Sequence, residues 1–167
     1  DHVELICKSL IKFFGIFNHI KSIVSSKIAR QLYFAFIYSR VKYGIEVCAN
    51  CSQDLLGKTK VIQNKLLKLL LNLNRRTNTK DLHVNLNILK VKDIQIVNIL
   101  CFVNNCLLGK YPEYFSKSFS ERTSLYNIRN LGLDISRSKT LQVSLSIKIL
   151  GAKLWNALSD DLKKICH

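Results

Sequence analysis

The chain has 167 residues, 48% of them hydrophobic, and a formal net charge of +15. That length suits one domain, or one domain with an attached module, and the apolar content excludes a disordered chain. The 26 Lys and Arg against 11 Asp and Glu favour a polyanionic partner, nucleic acid before an anionic membrane face, with a merely soluble basic surface as the plainer alternative.

With one proline and six glycines, the sequence favours helices. Val3, Ile6, Leu10, Phe13, Phe14 and Phe17 recur at three- and four-residue steps, which predicts a helix over 2–24. Ser25 or Ser26 can cap a second helix reaching about Tyr43 or Glu46, with Ile28, Leu32, Phe36 and Val41 inward. Along it, Tyr33, Tyr38 and Tyr43 interleave with Arg30, Arg40 and Lys42. That pattern can bind nucleic acid by stacking and phosphate contact, or it can be core. Phe34 and Phe36 are expected in the core.

A third helix is predicted from near Ser52 to about Asn74. Leu55, Ile62, Leu66, Leu69, Leu70 and Leu73 share one side. Lys58, Lys65, Lys68, Asn72 and Arg75 share the other, and Arg75 and Arg76 crowd a C-terminus that favours positive charge. Further helices are expected over Thr79–Leu86 and from Asp93, as N-cap, to Leu108, with Gly109 as the stop. Residues 110–140, with Pro112, many serines and many charges, read as an extended connector. Alternating Val143, Leu145 and Ile147 suggest a short strand. A short helix at Ala152–Leu158 and a last turn through Lys164, capped by Ser159 or Asp160, complete the chain. The expected fold is mainly α: a helical bundle over 1–76, a helical extension over 77–109, the connector, and a short strand and helix segment over 141–167.

Catalytic chemistry finds little footing. The four histidines, His2, His19, His83 and His167, stand at no triad spacing. Asp160-Asp161 fits a helix start. Glu113 and Glu121 have no evident partners. Every glycine is isolated, so there is no phosphate-cradling loop. Cys7, Cys101 and Cys106 sit on apolar helices as small hydrophobes. Cys48 and Cys51 form a CxxC, but zinc needs a second ligand pair and a redox CxxC a βαβ setting; neither is present. No metal or other cofactor is expected. The apolar run from Ile96 is too short for a membrane span and carries three asparagines. No signal peptide is visible, so a nuclear or cytoplasmic setting is the default. The chain starts at Asp1, contains no Met, and reads as the tail of something longer.

Six stretches, in order, resemble the segment after the catalytic palm in reverse transcriptases of jockey-like LINE (non-LTR) retrotransposons. They are HVELICKSLIKFFGIF; Leu32-Tyr33 with Tyr43-Gly44-Ile45-Glu46; the helix carrying Gln63, Asn64 and Lys65; LGKYPEYF; YNIRN; and GAKLWNALSDDLK. The family usually has a bulky side chain where Cys48 stands, which makes the CxxC an accident of substitution at a packing position. It also expects Leu-Pro where this chain has Leu158-Ser159. The resemblance implies a thumb, about residues 1–76, that grips an RNA–DNA template–primer duplex, with palm and fingers upstream in the same polyprotein. The resembled protein is an RNA-directed DNA polymerase. This chain lacks the Tyr/Phe-x-Asp-Asp motif and is not expected to polymerise alone. The alternatives are an inactive or domesticated relic with a structural or interaction role and, less favoured, a basic module at a membrane surface.

Overall fold

The computed structural model describes residues 2–46, 53–122 and 132–165, without the side chains of residues 53–55, 142, 164 and 165. The fold is mainly α, as expected. Among the described residues the only β-pairing is a single antiparallel bridge between Glu121 and Leu133.

The chain forms two compact units, Asp1–Gln95 and Ile96–His167. The first contains α1 (His2–Ile20), α2 (Ser26–Leu32), a π-helical segment (Tyr33–Tyr38), α3 (Ser39–Lys42), α4 (Gln53–Leu70) and α5 (Thr79–Asn85). It runs past residue 76 because Ile88, Val91 and Ile94 join the same core as Leu10, Phe17, Ile37 and Leu70. The boundary falls within α6 (Val91–Leu107).

Helix α1 matches expectation, with Val3, Ile6, Leu10 and Phe17 buried. It runs antiparallel to the next segment, since His2 meets Tyr43 while Phe13 meets Phe36. The Ser25 hydroxyl accepts from the Ile28 N–H at 3.5 Å and caps α2.

The inward set of that second segment differs from expectation. Ile28 and Phe36 are exposed, Phe34 is half-buried, and the buried residues are Ala29, Tyr33, Ile37 and Val41. These recur every four residues. In an ideal α-helix each such step overshoots a full turn by about 40°, so the stripe would wind off the core. The wider π-helical turn at Tyr33–Tyr38 takes back that drift and keeps the stripe on one line.

Asn72 and Asn87 both adopt φ 50, the left-handed region that asparagine tolerates at helix ends. The Leu73 N–H reaches the Lys68 carbonyl at 2.9 Å, and the Ile88 N–H reaches the His83 carbonyl at 2.9 Å. Both helices are closed by the same six-residue return. Asn78 caps α5 by accepting from the Lys80 N–H at 3.0 Å.

The second unit adds α7 (Glu113–Ser116), α8 (Leu141–Ser144), α9 (Ile147–Asn156) and α10 (Asp160–Ile165). Its core joins Val103, Cys106, Phe119, Leu133, Ala152 and Trp155. Asp93 lies in the first turn of α6 rather than at its cap, and Gly109, at φ +67, ends the helix region as expected. Cys106 is buried, Cys7 half-buried and Cys101 exposed, so Cys101 is not the core residue anticipated.

The connector is not extended throughout. It contains α7 and the bridge to Leu133, and Glu113 pairs with Lys117 at 2.7 Å. No strand forms at Val143–Ile147. The alternation there straddles two short helices: Thr140 caps α8, and the Ser146 carbonyl opens α9 by accepting from the Leu150 N–H. The serines that break the apolar run serve helix ends. Asp160 and Asp161 occupy the first turn of α10, where negative charge is favoured.

Candidate nucleic-acid interface

Helix α4 positions the basic residues singled out by the sequence. Its buried side is Thr59, Gln63, Leu66, Leu67 and Leu70. The predicted leucine face is therefore rotated. Leu66 and Leu70 are buried, Ile62 and Leu69 are partly buried, and Leu73 is 37% exposed. The side chain of Leu55 lies outside the described residues. The rotation arises because two polar residues, Thr59 and Gln63, hold inward positions that an apolar pattern cannot reveal.

Gln63 is 0% exposed. Its amide nitrogen donates to the Tyr33 hydroxyl at 2.6 Å and to the Leu89 carbonyl at 3.0 Å, and its oxygen accepts from the Val91 N–H at 3.2 Å. A buried amide with every group matched ties three separate segments together. Burial pushes the Tyr33 phenol up to about 12, against the opposing pull of the Gln63 bond.

The next residue, Asn64, meets His83 Nε2 at 3.0 Å, while His83 Nδ1 faces the Ile88 carbonyl at 3.1 Å. Desolvation lowers the His83 pKa, first among its causes, and so favours the neutral ring. The Asn64 atom at Nε2 is its side-chain oxygen, so both ring nitrogens face acceptors and a neutral ring donates to one of them at a time. His83 is thus held by α4 as a structural residue.

Lys65, third in the Gln63-Asn64-Lys65 triplet, points the other way and is exposed, as is Lys58 two helical turns earlier. Lys68 lies on the same side of α4, half-buried, and its ammonium donates to the Arg75 carbonyl at 2.6 Å. That bond folds the turn carrying Arg75 and Arg76 back against the end of α4. The Asn74 side-chain oxygen accepts from the Arg76 N–H at 3.1 Å and holds the turn. Arg75 and Arg76 are both exposed. Lys65, Lys68, Arg75 and Arg76 therefore gather at one end of the helix, with Lys58 further along. From Leu55 to Lys80 the chain has seven Lys or Arg and no Asp or Glu. No carboxylate within that stretch neutralises the face.

The interleaved aromatic and basic set on the second segment is divided. Tyr33 is core. Arg30 is engaged within the fold: its Nε donates to the Leu86 carbonyl at 2.8 Å, and its guanidinium stands over the Phe34 ring at 4.8 Å. Tyr38 is half-buried, while Arg40, Lys42 and Tyr43 are exposed.

Among the described residues no cluster of three or more His, Cys, Asp or Glu could hold a metal ion. Cys48 and Cys51 lie outside the described residues, as does the YNIRN stretch. No described helix is long and apolar enough to cross a membrane. No family model, curated protein or solved structure matches the chain, and the character of this face rests on its own residues.

Proposed function

We propose that this chain grips an RNA–DNA template–primer duplex, as the thumb-like part of a LINE-type reverse transcriptase whose palm and fingers lie upstream in the same polyprotein. The observation that carries the reading is the outward face of α4 and its following turn, where Lys58, Lys65, Lys68, Arg75 and Arg76 stand without a carboxylate between Leu55 and Lys80. A duplex along this face sets its phosphates near ammonium and guanidinium groups. Binding releases condensed counterions, and about four phosphate contacts give a slope of log K against log salt near −3 to −4. Such contacts hold any sequence about equally.

The test compares two quadruple variants of equal net charge, titrated with an RNA–DNA duplex at several salt concentrations. One replaces Lys58, Lys65, Lys68 and Arg75 by Ala; the other replaces Lys110, Lys117, Lys139 and Lys148. The first should bind more weakly and with a shallower salt slope, by roughly one per lost contact. Equal binding by the two variants makes the attraction a property of the whole +15 surface and favours the relic reading. The chain alone should not extend a primer, because its sequence has no paired-aspartate motif of the polymerase kind to activate a 3′-hydroxyl.

A further inference from the structure

A second feature lies at the α1–α3 side of the first unit. An open cleft of 480 Å³ has Leu5 and Ile6 in its lining, with Tyr43, His2 and Arg40 around it. That volume falls within the range of small-molecule sites. Among the described residues its lining contains no carboxylate. Tyr43 is 75% exposed, yet its ring is not loose on the surface. The His2 ring packs against it, centroids 5.8 Å apart and tilted by 50°. His2 Nε2 donates to the Tyr43 carbonyl at 3.0 Å. The carbonyl only accepts, so Nε2 carries the proton, and in the neutral ring Nδ1 is left as an acceptor.

Gly44 makes this arrangement possible. It has φ +66, and a Cβ there would come within 2.9 Å of His2 Nε2. Any side chain would be strained and would displace the imidazole that holds Tyr43. Arg40 is exposed, and among the described residues it has no hydrogen-bond or ion-pair partner. The Ser9 and Ser39 hydroxyls, also in the lining, donate to the Ile6 and Ala35 carbonyls. Their lone pairs remain able to accept from a base N–H.

We infer that this cleft takes an unpaired nucleotide, its base stacked on Tyr43 and its phosphate on Arg40. An aromatic ring held in place beside an unpaired guanidinium, over an apolar floor, is the combination that single strands use. A duplex keeps its bases stacked inside and cannot offer one to Tyr43. The inference rests on nucleic acid being the partner and concerns a different set of residues from the α4 face.

The experiment uses the full chain and a fluorescein-labelled single-stranded oligonucleotide of twelve thymidines, beside an RNA–DNA duplex of equal length, read by anisotropy. Tyr43→Ala should weaken single-strand binding about tenfold and duplex binding less than about twofold. Tyr43→Phe should bind as the parent does, because the ring face is kept, whereas Tyr43→Leu should bind like Tyr43→Ala. Arg40→Ala should lower the single-strand salt slope by about 0.7. Unchanged melting temperatures confirm that each variant is folded. The inference is overturned if Tyr43→Ala binds the single strand as tightly as the parent, or if Tyr43→Leu keeps full affinity. The α4 quadruple variant separates the two readings. Loss of duplex binding there, with single-strand binding unmoved in Tyr43→Ala, sinks the cleft alone; the reverse pattern sinks the α4 grip alone.

Discussion

Gln63 and Asn156 are both side-chain amides that stand in for backbone, one in each unit, and they work on different terms. Gln63 is fully buried and bonds three partners from two other segments. Asn156 is half-buried and serves a single residue. Its oxygen accepts from the Leu133 N–H at 2.7 Å and its nitrogen donates to the Leu133 carbonyl at 2.9 Å. Asn156 therefore pins one strand-like segment to α9, whereas Gln63 joins the walls of a core. Water can replace an amide at a half-exposed site. It cannot reach the partners of Gln63, and those would be left unmatched in an apolar interior.

The sharpest way to break this contrast is Gln63→Leu. The change keeps the bulk and strands the Tyr33 hydroxyl, the Leu89 carbonyl and the Val91 N–H. A loss on the order of 3–9 kcal/mol follows if each costs about 1–3 kcal/mol, read by urea denaturation. A loss under about 1 kcal/mol would mean that the amide bonds contribute little.

Leu70→Ala, on the same helix and equally buried, should cost about 2–5 kcal/mol through the cavity it leaves. If it costs more than Gln63→Leu, apolar packing rather than the amide dominates this core. A change below about 0.5 kcal/mol would show that α4 presents another side inward. Asn156→Ala should cost about 1–2 kcal/mol, the scale of a half-exposed pair of hydrogen bonds. Equality with Gln63→Leu would remove the distinction drawn from burial.

The smallest effect belongs to His83. Its folded pKa lies below its ordinary value of about 6.5. Between the two values the unfolded chain binds more protons than the folded one, and stability rises with pH. Above about pH 6.5 this contribution is complete; it is lost as the pH falls through the folded value. Melting temperatures at pH 7.5 and 5.5 should therefore differ in that direction, and His83→Gln should narrow the gap. An unchanged gap would assign the acid sensitivity to other groups.

Much of the helical layout was legible. The apolar steps of α1, the Ser25 cap, the span of α5 and the stop at Gly109 all follow from local rules that need no tertiary partner. The outward placement of Lys58 and Lys65 was legible too, since opposite sides of a helix separate by periodicity alone. The failures share a cause. By apolar pattern Phe36 reads as inward and Tyr33 as ambiguous, because the phenol hydroxyl makes Tyr less apolar than Phe. Only the nearness of Gln63, thirty residues away in sequence, makes the Tyr33 hydroxyl acceptable in the core.

The sequence by itself thus determined a mainly helical, strongly basic chain with one side of α4 set aside for cations, because composition and 3.6-residue periodicity are properties of the chain at short range. Tertiary structure alone decided the inward residues of the segment after Ser25 and the rotation of α4, through the π-helical turn and the Gln63 amide. It also decided the cleft that joins His2 to Tyr43 across forty-one positions. Such contacts depend on matching donors, acceptors and shapes between distant segments, and no local pattern encodes that match.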